Sequence, residues 1–192
     1  NLEKREKKSM MSGFHAFWSL GVLIGSISTS LFLEWEISLL NNIIIYVVIL
    51  LPLNILIALR LEGDQMENKN NKKNIFFIWP LIIFVLALIA MVNALTEGSV
   101  DAWGALYMRD FIKVDGFLIG LATVSFNIFM VIGRLSGDWL RDKIGVYNLL
   151  SILFVLSIIS LYALFSYNNI YVSIFGFALL GIGTSAIVPI AY

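Results

Sequence analysis

Residues 133–145 read GRLSGDWLRDKIG and put five charged side chains, Arg134, Asp138, Arg141, Asp142 and Lys143, into thirteen positions. The flanking runs FLIGLATVSFNIFMVI (117–132) and VYNLLSILFVLSIIS (146–160) contain no charge. A charged island between two apolar runs is what a loop joining two membrane spans looks like, and the rest of the chain repeats the pattern. Of 192 residues, 59% are hydrophobic and 14% charged, against roughly a quarter charged in a soluble domain. A hydrocarbon core of about 30 Å takes about 20 helical residues. Six segments approach or reach that length, at 9–33, 40–59, 75–95, 117–134, 146–166 and 170–192. The runs are continuous rather than alternating, so they predict helices and not a barrel, since each span must satisfy its own backbone hydrogen bonds. The fold class expected is an all-α polytopic membrane protein.

Basic residues set the orientation, because Lys and Arg in short loops stay in the cytoplasm. Lys4, Arg5, Lys7 and Lys8 precede the first span; Arg60, Lys69, Lys72 and Lys73 follow the second; Arg134, Arg141 and Lys143 follow the fourth. Only Arg109 and Lys113 fall on the other side, so eleven of thirteen place the 60–74 segment and the 134–145 loop in the cytoplasm. The formal net charge of zero gives no footing for nucleic acid. There is no cysteine, hence no disulfide or thiolate metal site, and no cofactor is expected. The first residues lack a signal-peptide pattern. The chain opens on Asn1 in a charged stretch and ends at Tyr192 within an apolar run, from which a piece of a longer protein is expected.

Polarity distinguishes the spans. The second and fifth are almost wholly aliphatic and read as lipid-facing. The first carries His15, Ser19, Ser26 and Ser30 on one helical face, with Gly21 and Gly25 spaced for close helix approach. The fourth sets Thr123 and Asn127 four apart and repeats the glycine spacing at Gly116 and Gly120. In the third, Asn93, Glu97 and Asp101 stand at i, i+4 and i+8. Glu97 is about 33 Å along from the cytoplasmic end, near the outer boundary, if the helix persists. A carboxylate there either turns to protein or a wet cavity, or ends the span at the headgroups with Gly98 as a breaker. Trp103 and Tyr107 serve equally as a stacking platform or an interfacial belt.

In order along the chain, SMMSGFHAFWSLGVLIGS (9–26), EGSVDAWGALYMRD (97–110) and GRLSGDWLRDKIG (133–145) resemble the major facilitator superfamily, in particular a bacterial branch akin to fucose-permease-type sugar–proton symporters. The loop signature of that family is Gly, three residues, Asp, Arg or Lys, any residue, Gly. Asp142, Lys143 and Gly145 match it, while Asp138 stands where the first glycine is expected. The resemblance implies six of twelve helices, the fifth to the tenth. Residues 1–59 would end an N-terminal six-helix bundle, 60–74 would be the central cytoplasmic linker, and 75–192 would begin the C-terminal bundle. It implies a place in the bacterial inner membrane. The missing helices of the same polypeptide would complete the cavity.

The function expected is secondary transport of a small solute by alternating access, coupled to a proton or another ion. Glu97, Asp101, Asn93, Thr123, Asn127, His15 and Trp103 are the candidates for the pathway. Asp138, Arg141, Asp142, Lys143 and Gly145 are the candidates for a conformational loop, in which Asp142 pairs across helices and gains from a helix N-terminus. The alternatives are a transporter fold kept as a sensor or scaffold, and a membrane-embedded enzyme. A single histidine, no cysteine and no Gly-x-Ser-x-Gly stretch leave little for catalysis, so no enzymatic activity is expected.

Overall fold

The computed structural model describes residues 11–60 and 81–187; the linker from 61 onward and the His15 side chain lie outside the described residues. The described residues form helices and no strand. In chain order these are α1 (Met11–Glu34), α2 (Leu39–Arg60), α3 (Leu81–Leu106), α4 (Leu121–Ile144), α5 (Val146–Ser166) and α6 (Ile170–Ser185). Within them, four stretches are long and apolar enough to cross a membrane: Ala16–Glu34, Leu39–Arg60, Gly116–Ile144 and Val146–Ser166. This is an all-α polytopic membrane fold.

The connections are tight and locally determined. Between α1 and α2 the chain turns at Glu36, at a φ of 55°, with the Ile37 amide returning to the Phe32 carbonyl at 2.9 Å. Between α5 and α6, Asn169 caps the helix by accepting from the Tyr171 amide at 2.8 Å. Gly145, at φ 82°, is the single residue between α4 and α5 and takes a conformation that L side chains rarely adopt.

Two element boundaries differ from those expected. α3 runs past the expected 75–95 span and past the alternative stop at Glu97 and Gly98, to Leu106, and continues as a π turn over Tyr107–Ile112. A lone helical glycine costs only about 1 kcal/mol, which the packing of Val100 and Met108 into the core offsets. α4 does not end at Arg134 either. A 3₁₀ turn at Gly116–Gly120 leads into it, and it continues to Ile144, so 134–144 is helix rather than loop. Six of its nine buried positions, Phe126, Asn127, Met130, Gly133, Arg134 and Gly137, form one helical stripe that carries straight through the charges.

α4 is the centre of the molecule, packed between α1 and α6. Its contact with α6 is made by backbone approach: a Cβ on Gly181 would stand 2.2 Å from the Phe126 carbonyl oxygen, and one on Gly133 would overlap Ser185. Towards α1, Gly120 leaves room only for Ser30, as its spacing predicted. Among the described residues, a Cβ on Gly21 or Gly25 would meet nothing within 4 Å, so neither mediates a close helix approach there. The core beneath comprises Val100, Met108, Ala122, Phe126, Met130, Leu164, Phe177 and Leu180. α2 and α5 are the outer helices, as their aliphatic sequences predicted. Asn42 is the only buried residue of α2, which is tied to α1 through the Tyr46 hydroxyl beside Ser28 and Thr29.

Candidate functional site

Arg134 is 2% exposed. It lies about 20 Å from the start of α4 and about 15 Å from its end at 1.5 Å per residue, well inside the bundle. Its assignment to a cytoplasmic loop is therefore overturned. The guanidinium joins four helices. Nη2 donates to Glu97 Oε1 of α3 at 2.8 Å, Nε donates to the Ser185 carbonyl of α6 at 3.3 Å, and Nη1 donates to the Ser19 hydroxyl of α1. Each partner has a reason to be available. The Ser185 carbonyl is the acceptor that an α-helix would pair with the amide of residue 189, which is Pro189 and has no N–H. Ser19 is buried at 2% on the polar face of α1. Glu97 also accepts from Asn93 Nδ2 one turn below, at 2.6 Å. Asn93 is itself buried and leaves its Oδ1 without a hydrogen-bond partner among the described residues.

A charge removed from water is stable only when paired and hydrogen-bonded. Arg134 meets both conditions, and the pair excludes the reading of Glu97 as a headgroup anchor: the carboxylate is 23% exposed and faces protein.

The carboxylate one turn further on has different surroundings. Asp101 lines a cavity of about 470 Å³ between α1, α3 and α4, together with Ser26, Thr29, Ser30 and Thr123. Asn127 is 4% exposed; it directs one N–H to the Thr123 carbonyl at 2.9 Å and has its amide within reach of the Asp101 carboxylate. The structure thus splits the expected row in two, Asn93 and Glu97 with Arg134, and Asp101 with Thr123 and Asn127. Trp103 joins neither group. It is 66% exposed and lines an apolar cleft of about 420 Å³ with Tyr107, Leu161 and Phe177, between α3, α5 and α6.

The expected loop cluster is the last turns of α4. Arg141 pairs with Asp138 at 3.3 Å and with Asp142 at 3.2 Å, and Lys143 lies over the Trp139 ring at 4.8 Å. Asp142 is 74% exposed and sits at a helix C-terminus, where the dipole is unfavourable to a carboxylate. The stabilisation expected from an N-terminus is not there; the neighbouring Arg141 supplies compensation instead.

The residues missed in the sequence are Arg134 and Ser185. The signal for Arg134 was the buried stripe, since residues 126, 127, 130, 133, 134 and 137 keep helical spacing across the supposed loop boundary.

Known proteins with related sequences cover the whole of this chain. An uncharacterised MFS-type transporter from Yersinia pestis is 28% identical over 192 residues, all of this chain and 49% of the relative. The uncharacterised transporter y4wD of Sinorhizobium fredii and the membrane protein MosC of Rhizobium meliloti are each 24% identical over 196 residues. The chain spans about half the length of these relatives, 51% and 46% for the latter two. No solved structure matches. The family model for the Major Facilitator Superfamily matches residues 1–191. With a helical membrane bundle and a buried ion pair at its centre, the chain belongs to the Major Facilitator Superfamily.

Proposed function

We propose that this chain is part of a proton-coupled secondary transporter that moves a small solute by alternating access, with the Arg134–Glu97 pair as the coupling element. The observation that carries this reading is that one buried guanidinium binds α1, α3 and α6 from α4. If α1 and α2 belong to one bundle and α3 to α6 to another, the Ser19 bond crosses between bundles while the Glu97 bond lies within one. Rocking of the bundles then changes the partners of Arg134. Breaking a buried pair strands a charge, at about 3–5 kcal/mol, unless a proton joins the carboxylate as the pair separates. A proton on Glu97 thus lowers the barrier to the state in which Arg134 has turned away. Asp101, Thr123 and Asn127 line the solute's path.

The orientation that fits is cytoplasmic placement of the 60–74 linker and of the α4–α5 junction. With Arg134 inside the bundle, the basic residues outside it still divide ten to two in favour of that topology. The test is transport by the protein in liposomes, normalised to the amount inserted. Glu97→Gln is expected to lose accumulation driven by a pH gradient and to keep solute exchange, which needs no net proton movement. Unchanged accumulation with unchanged pH dependence would remove Glu97 from the coupling mechanism.

A further inference from the structure

The cavity beside Asp101 offers acceptors and almost no donors. Of its four hydroxyls, Ser26 directs its hydrogen to the Val22 carbonyl at 2.9 Å, Ser30 to the Ser26 carbonyl at 2.7 Å and Thr123 to the Gly120 carbonyl at 3.0 Å, while Thr29 meets the Tyr46 hydroxyl at 3.1 Å. A hydroxyl whose hydrogen is engaged still has lone pairs, and these remain for the cavity. The other polar group is the Asp101 carboxylate, an acceptor only when ionised. The remaining lining is glycine and aliphatic side chains, with no Lys or Arg. Among the described residues no cation lies within ion-pair distance of Asp101, whereas Glu97 one turn below is matched by Arg134. The negative charge of this cavity is therefore uncompensated by the described residues of its walls.

We infer that the cavity between α1, α3 and α4 binds a small organic cation, a protonated amine carrying further donors such as hydroxyl groups, with Asp101 as counter-ion and the oxygens of Ser26, Thr29, Ser30 and Thr123 as acceptors. A volume of about 470 Å³ suits a small solute. A neutral polyol would satisfy the hydroxyl oxygens and leave the carboxylate, beside the neutral Asn127 amide, without a counter-charge. An anion would be repelled by it. The inference rests on the transporter reading for its biological meaning, and binding can be measured without transport.

These 192 residues have no cysteine, so Thr29→Cys, with any cysteine elsewhere in the protein replaced by serine, places a single thiol in the cavity wall. Two methanethiosulfonates, one bearing a trimethylammonium group and one a sulfonate, are reacted with it in the detergent-solubilised protein. After correction for their rates with a free thiol, the cationic reagent is expected to be faster by roughly tenfold, as a partly screened charge a few ångströms away implies. Asp101→Asn should abolish that preference, and Asp110→Asn, which removes an exposed carboxylate paired with Arg109 away from the cavity, should not. N-methylglucamine, sorbitol and gluconate then compete on one carbon skeleton with charges of +1, 0 and −1. Only N-methylglucamine is expected to slow labelling, and only while Asp101 is present. The inference is overturned by a thiol that neither reagent reaches, by a charge preference that is absent or survives Asp101→Asn, or by failure of the amine to protect better than sorbitol. Loss of accumulation in Glu97→Gln, beside a charge preference that depends on Asp101 in the Glu97 parent, separates the coupling pair from this site. Wild-type accumulation with no charge preference would retain the transporter and reject the cation site.

Discussion

A guanidinium carries five N–H donors in a fixed plane and keeps its charge in any protein environment. At position 134 that plane reaches a carboxylate, a hydroxyl and a helix-end carbonyl on three different helices. Lysine has one compact ammonium group and cannot span those directions. Arg134→Lys is therefore expected to insert but to lose most transport, because at least one of the three links must go. The energetic logic gives a sharper prediction. Glu97→Gln leaves Arg134 charged and buried, and should destabilise the protein by about 3–5 kcal/mol. Adding Arg134→Met removes the stranded charge, and the double variant should regain most of that loss. Thermal unfolding followed by tryptophan fluorescence measures both. A double variant no more stable than Glu97→Gln alone would mean that the pair is not the source of the loss.

At the scale of the helices, backbone contact at glycine decides the packing of α6 against α4. Gly181→Ala puts a methyl group 2.2 Å from the Phe126 carbonyl oxygen, where only backbone movement makes room; a loss of about 1–3 kcal/mol is expected. Gly25→Ala meets nothing within 4 Å and should stay within about 0.5 kcal/mol of the parent. Equal melting temperatures for the two variants would contradict the contact. The same comparison shows what the sequence could carry. The existence of the spans was legible, because twenty apolar residues have few alternatives, and so was the peripheral character of α2 and α5. Helix ends were less so. Charge reads as the end of a span at Arg134 and leaves that reading open at Glu97, yet each is neutralised by the other, a partnership 37 residues apart that no local pattern records. The Asn93, Glu97, Asp101 row follows from helical spacing alone, but which helix each member meets depends on tertiary packing. The glycine spacing in α1 was equally good as a pattern, but among the described residues no helix backbone packs against Gly21 or Gly25, and Gly25 lines the cavity instead.

For the molecule as a whole, topology and the α1–α4 seam are the testable features. Cysteines placed at Asn70 and Asp115 should be labelled by an impermeant reagent from opposite sides of the membrane, and labelling of both from one side would reverse the proposed orientation. Along the seam, Arg134 meets Ser19 towards one end, and Glu34 closes the other by accepting the Phe117 amide at 2.8 Å. Gly116, at φ 58°, directs the chain into that contact, and a Cβ there would stand 2.2 Å from the Glu34 carboxylate. If α1 and α4 lie on different bundles, this end must part whenever the outer side opens, and the Glu34 bond is a local resistance to opening. A single hydrogen bond of this kind contributes about 0.5–1.5 kcal/mol. Glu34→Ala should therefore raise the labelling rate of a cysteine at Ser26, which lines the cavity behind the seam, by about two- to tenfold from the Asp115 side. Glu34→Gln, whose amide oxygen can still accept the Phe117 N–H, should raise it less. A labelling rate unmoved by Glu34→Ala would mean that the seam is held by Ser30 against Gly120 and the packing beneath, with the Glu34 carboxylate a spectator at its edge.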